Sequence, residues 1–70
     1  MDVRRRLGLY LQRLRRAKGW SQEELADRAG VHRTYVSGVE RGQRNPTITI
    51  VEKLAAALET SIGELADAAK

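Results

Sequence analysis

The chain has no cysteine and one histidine among its 70 residues. Without thiols there is neither a disulfide framework nor a thiolate metal site. A lone histidine cannot build a multi-histidine metal cluster. No apolar run approaches the roughly 18 residues of a membrane helix, and no apolar segment follows the basic N-terminus as it would in a secretory leader. Glycine-rich phosphate loops and clustered acids are also missing, and with one histidine this excludes the common enzyme chemistries. β-branched alternation is confined to "TITI" at 47–50, and there is no internal repeat. A chain near this size buries only about 60% of the surface it exposes unfolded, so the core has to be small and closely packed. The absence of cysteine fits a cytoplasmic protein.

What is present is helical periodicity and positive charge. The net charge is +4. It is unevenly placed: residues 1–44 hold eleven Lys/Arg against five Asp/Glu, and residues 45–70 hold two against four. A basic half of this kind points to a polyanionic partner, most often nucleic acid.

Five short helices are predicted, at about 3–18, 22–29, 33–41, 47–58 and 62–69, in one all-α domain spanning 1–70. In the first, Val3, Leu7, Tyr10, Leu11 and Leu14 share a face, while Arg5, Arg6, Arg13, Arg16 and Leu9 lie off it. Gly19 ends it. Ser21 with Glu24 forms a capping box for the second helix, and Trp20 with Leu25 forms a hydrophobic staple. Leu25, Ala26 and Ala29 face inward, and Gly30 stops the helix. The third helix begins near His32, turns Val36 and Val39 inward and stops at Gly42. Two starts compete for the fourth: Asn45–Pro46 as N-cap and N1, or Thr49 with Glu52 as a capping box. Ile48, Val51, Leu54, Ala55 and Leu58 share its apolar face. Ser61 and Glu64 open the fifth helix, with Ile62 and Leu65 inward.

The stretch "WSQEELADRAGVHRTYVSGVERG", 20–42, carries the chemistry. Two helices joined by a glycine-containing turn of three or four residues cross at roughly 90–120°. That geometry lets one helix brace across a phosphate backbone while the other enters the major groove. With Val36 and Val39 inward, the third helix turns Thr34, Ser37, Gly38 and Arg41 outward, with Arg33 at its start. This face has no acid and no large apolar group. Arginine can bond guanine bidentately and threonine can touch a thymine methyl. A glycine in mid-helix costs about 1 kcal/mol relative to alanine, and a close approach to DNA or plain tolerance both account for Gly38. Arg33, Arg41 and Arg44 cluster around this strip. Gln22, at N1 of the second helix, has no evident structural duty and suits a phosphate contact beside free backbone N–H groups. Ser21 caps and can also touch phosphate. Tyr35 flanks the inward face, its hydroxyl directed to a phosphate. His32 lacks companions for a metal, and suits an N-cap or a phosphate contact. Glu40 is an acid on a helix meant for phosphate, so it is expected to turn inward and pair with Arg15 at the edge of the first helix's apolar face.

"LRRAKGWSQEELADRAGVHRTYVSGVERGQRNPTITIVEKLAAAL" resembles the DNA-binding domain of the phage Cro and repressor superfamily, and is similar to regulators of the biofilm-repressor type and to restriction–modification controller proteins. The resemblance implies a compact five-helix, lambda-repressor-like domain with a helix-turn-helix formed by helices 2 and 3. It implies sequence-specific binding of double-stranded DNA by a cytoplasmic, nucleoid-associated regulator of a bacterium or phage. By position, Ser21 and Gln22 match phosphate contacts, Arg33, Thr34 and Gly38 base-reading positions, Arg41 and Arg44 backbone contacts, and Arg15 with Glu40 a structural ion pair. Two positions depart: His32 replaces the usual serine or threonine, and Gly38 removes a base-reading side chain. No cofactor, metal, membrane or small-molecule ligand is implied. A homodimer is, with Leu58, Ile62, Leu65, Ala66 and Ala69 as its expected interface. The alternative is an antitoxin or assembly component whose main partner is another protein, a reading that an exposed Leu9 supports.

Overall fold

The computed structural model describes residues 2–43 and 46–69, the side chains of Ile62, Ala66, Ala68 and Ala69 excepted. Its helices are α1 (Val3–Ala17), α2 (Gln22–Ala29), α3 (Arg33–Glu40), α4 (Ile48–Ala57) and α5 (Ile62–Ala69), with no strand among the described residues. None of these helices is long and apolar enough to cross a membrane.

Most helix starts are fixed by a side chain reaching a free backbone N–H. Asp2 Oδ1 accepts from Arg4 N at 2.9 Å, and that bond holds the Asp2 carboxyl below its usual pKa. Ser21 Oγ accepts from Glu24 N at 3.0 Å. The reciprocal half of the expected capping box gives way to a helix-surface ion pair: Glu24 Oε2 accepts from Arg28 Nε, one turn on, at 2.7 Å. Arg28 and Lys18 also stand over the Trp20 ring, 4.4 and 5.3 Å from its centre. The start of α4 is neither of the two expected ones. Thr47 is its N-cap, accepting from Ile50 N at 3.3 Å, which puts Thr49 inside the helix. Asn45 lies outside the described residues. His32 occupies the N-cap of α3 with no side-chain cap bond, so that helix opens without this support.

The stops follow from left-handed residues. Gly19, Gly30 and Gly42 have φ of 73°, 70° and 71°, a region that glycine enters without steric cost. The helices they close end at Ala17, Ala29 and Glu40, so α1 and α3 stop one residue short of the expected ends. The stop of α4 is different: Glu59 adopts φ 57° without being glycine, and Thr60 N returns to Ala55 O at 2.9 Å.

The core consists of Leu11, Leu25, Ala26, Val36, Val39, Leu54, Ala55, Leu58 and Leu65, with Leu7, Tyr10, Leu14 and Trp20 packed against it. α1 packs on α3 and α5, α2 on α3 and α4, and α4 on α5. Two expected inward residues are exposed, Val3 at 59% and Ile48 at 64%. Each is the first residue of its helix, where the turn projects past the neighbouring elements. Leu58 and Leu65 require a larger correction. They are 4% and 1% exposed, so they close this chain's own core and have no surface to offer a second copy. The side chains of Ile62, Ala66 and Ala69, the rest of the expected interface, lie outside the described ones.

Candidate nucleic-acid interface

α3 has an inward side that fixes it and an outward side left open. The inward side begins with Val36 and Val39, each 1% exposed. Its last residue, Glu40, has a carboxylate buried to 1% exposure. A charge so buried has to be paired and hydrogen-bonded. Arg15 supplies both, through a two-pronged contact: Nε to Oε2 at 2.7 Å and Nη2 to Oε1 at 3.0 Å. The third prong of the guanidinium, Nη1, donates to Trp20 O at 2.7 Å. The bond to Glu40 pushes the Arg15 pKa above its ordinary value. Among the described residues no buried side-chain polar atom lacks a partner.

Gln22 joins this network. Its Nε2 donates to Glu40 Oε1 at 3.2 Å, so one carboxylate ties together α1, the start of α2 and the end of α3. The expectation that Gln22 has no structural duty is thereby corrected. Eighteen residues separate Gln22 from Glu40, and no local pattern signals the bond. Another unforeseen contact is at Gly8, which is buried in α1. A Cβ there would lie 2.6 Å from Glu40 O and nearer still to Val39 O. The backbones of α1 and the last turn of α3 therefore touch, and only glycine permits it.

The outward side is an open concavity lined by Arg33, Thr34, Ser37, Gly38, Arg41 and Gln43. It has two cationic side chains and no acidic one. Arg33, Thr34 and Arg41 are exposed and Ser37 is half-buried. Gly38, expected to face outward, is instead buried at the floor of the concavity. Its carbonyl accepts from Gln43 N at 2.9 Å, which folds the chain after Gly42 back over this point. Gln43 is thus a lining residue that the helical wheel misses. The only hint is its place directly after a left-handed glycine, where the chain turns back toward the helix.

Tyr35 stands apart from this group. It is 38% exposed and lines a second concavity, between α2, α3 and α4, together with Glu23, Asp27, His32, Arg33 and Lys53. Ser21 is exposed with its hydroxyl engaged as a cap. Arg44 lies outside the described residues. Among the described residues no group of three or more His, Asp or Glu side chains is arranged to hold a metal ion.

Comparison with known proteins bears on this arrangement. Residues 11–65 match the model of the family described as helix-turn-helix. An HTH-type transcriptional regulator of Sinorhizobium fredii is 48% identical over 65 residues, covering 93% of this chain and 84% of that protein. The solved structure of the restriction–modification controller protein C.AhdI from Aeromonas hydrophila superimposes with a TM-score of 0.85 at 50% identity, covering 89% of this chain and 94% of that one. SinR of Bacillus subtilis is 42% identical over 62 residues, 87% of this chain but 56% of SinR, so the chain spans about half of that relative. A structure of SinR, the master regulator for biofilm formation, in complex with DNA superimposes with a TM-score of 0.80 at 40% identity, covering 84% of this chain and 95% of that chain.

Proposed function

The chain belongs to the helix-turn-helix family, and from that premise we propose that it is a transcriptional regulator binding double-stranded DNA in a sequence-specific way. α3 enters the major groove. Arg33, Thr34 and Ser37 face base edges, and the sunken Gly38 lets the groove wall approach. Arg41 and Arg44 bind the phosphate backbone after the recognition helix. On the other side, Ser21 and Gln22 meet a phosphate at the start of α2, and the Tyr35 hydroxyl meets another at the flank. Gln22 keeps one amide N–H to donate to the phosphate while its other N–H remains on Glu40.

The observation that carries the reading is the polarity of α3. Its inward face is locked by a buried ion pair, and its outward face is a concavity with two arginines and no acid. Such a helix presents hydrogen-bond donors to a polyanion at a fixed height. The similarity to SinR, solved with DNA, supports the same docking.

The form of action that the family resemblance implies is a homodimer on an inverted repeat, half-sites about 34–36 Å apart. Its interface has to lie away from Leu58 and Leu65, which the core consumes. The test is selection from random duplex DNA with the purified chain at about 0.15 M salt, where the non-specific term is suppressed. An enriched inverted repeat with one-turn spacing is expected. Binding that appears only at low salt, with no enriched sequence, would overturn the sequence-specific reading.

A further inference from the structure

One face of α1 takes no part in the proposed DNA site. Leu9 is 41% exposed there and lines an open depression with Gln12, Arg13 and Arg16. Among the described residues no acid pairs with Arg13 or Arg16. A phosphate surface has no use for a leucine at its centre, whereas a protein surface does. The complement of this face is on the same chain. α4 turns outward Ile48, the most exposed large hydrophobic among the described residues at 64%, followed one turn later by Glu52 and then by exposed Ala56. Glu52 also has no ion-pair partner among the described residues. α1 packs on α3 and α5, and α4 on α2 and α5, so both outer faces are left uncovered by the fold.

We propose that α4 of one copy docks on α1 of a second. Ile48 seats in the depression beside Leu9, and Glu52, one turn along, pairs with Arg13. The spacing matches on both sides, since Leu9 and Arg13 are also one turn apart. The two surfaces differ, so the contact is head-to-tail and a docked pair retains one free face of each kind, α1 on one copy and α4 on the other. It therefore adds copy to copy, in a row or a ring, rather than closing a two-fold dimer. With one large apolar residue on each side the contact is weak in free solution. Under the DNA-binding reading it strengthens where neighbouring copies are held on one duplex, because tethering raises the effective concentration.

The experiment leaves DNA out, so that its failure is distinct from a failure of the DNA-binding reading. The absence of native cysteine allows a single spin label at Thr49→Cys, on the exposed edge of α4. That chain is mixed at millimolar concentration with isotope-labelled wild-type chain, which carries no spin label. Paramagnetic broadening is expected at the amides of Leu9, Gln12, Arg13 and Arg16. It should disappear when both chains carry Arg13→Glu or both carry Glu52→Arg, and return when both chains carry the two reversals together. All the altered residues are exposed, and an unchanged amide spectrum elsewhere verifies the fold of each variant. Uniform broadening, broadening centred on another face, or failure of the double reversal to restore it would overturn the proposal.

Discussion

Among the described residues Glu40 is the most deeply buried charged one. Its carboxylate is 1% exposed and its charge is balanced by one guanidinium. Removing a partner from a buried pair costs about 3–5 kcal/mol. A domain of this length is stable by only about 4–10 kcal/mol, at roughly 0.05–0.15 kcal/mol per residue. Arg15→Ala is therefore expected to lose about half of the total, seen as a large drop in the urea midpoint. The pair Arg15→Met with Glu40→Leu should recover most of that loss, because two apolar groups need no charge compensation. A single variant within about 1 kcal/mol of wild type would show that water reaches the pair, the behaviour of exposed ion pairs. Gly8 acts at the same junction through volume. In an open helix, replacing it by alanine would gain about 1 kcal/mol. Here the new methyl group meets two backbone carbonyls of α3, which cannot rotate away. Overpacking of this kind costs about 1–3 kcal/mol or more, so Gly8→Ala should destabilise. Gly63→Ala, where among the described residues a Cβ meets only Ser61 Oγ at 3.7 Å, should stabilise by about 0.5 kcal/mol. If equilibrium unfolding ranked the two in the opposite order, the close approach of α1 to α3 would be wrong.

At the scale of the element, the ends of helices carry the remaining strain. Glu59 closes α4 at φ 57°, where an L side chain costs about 1–2 kcal/mol. Its ion pair with Lys18, at 3.5 Å and with Glu59 81% exposed, returns little of this. Glu59→Gly removes the strain, and the greater freedom of glycine in the unfolded chain takes back part of the gain. A net rise of about 0.5 kcal/mol is expected, or about 2–4 °C in Tm for a domain this small; a lower Tm would mean that the ion pair outweighs the strain. This stop also marks where the sequence is hard to read. The glycine stops at 19, 30 and 42 and the serine caps at 21 and 61 are legible because each is a local bond between near neighbours. α4 has no glycine to announce its end, and two louder signals flank the cap at Thr47. A helical wheel gives the direction of Val3 and Ile48 but not whether another helix stands opposite. Within the site, an acid on a basic helix points to a buried cation, and Arg15 stands against Glu40. Gln22 on Glu40 and Gly8 on Val39 depend on how α1, α2 and α3 meet in space, which no local pattern encodes. Gly38 is buried although the wheel turns it outward, and its carbonyl accepts from Gln43 N where the chain turns after Gly42.

At the scale of the whole molecule, charge decides how it meets a duplex. The first 44 residues carry a balance of +6 and the rest −2, and the α3 concavity lies in the basic part. Binding to B-DNA releases counterions, so the logarithm of the association constant falls with the logarithm of salt concentration at a slope of about −0.9 per phosphate neutralised. In the docking proposed above, Arg41 neutralises a phosphate and Thr34 faces a base. The two replacements then separate. Arg41→Ala should weaken binding to every sequence alike and make the slope shallower by about 1 for each phosphate it no longer neutralises. Thr34→Ala should leave the slope unchanged, since it removes no charge, and relax the preference at one position of each half-site. Fluorescence anisotropy across a salt series, with the selected operator and a scrambled duplex, reads both quantities. If Arg41→Ala altered base preference while the slope stayed fixed, Arg41 would be a base reader and the helix would sit deeper in the groove than proposed. If neither variant changed slope or preference, the recognition surface would lie off α3, because both side chains line its acid-free face.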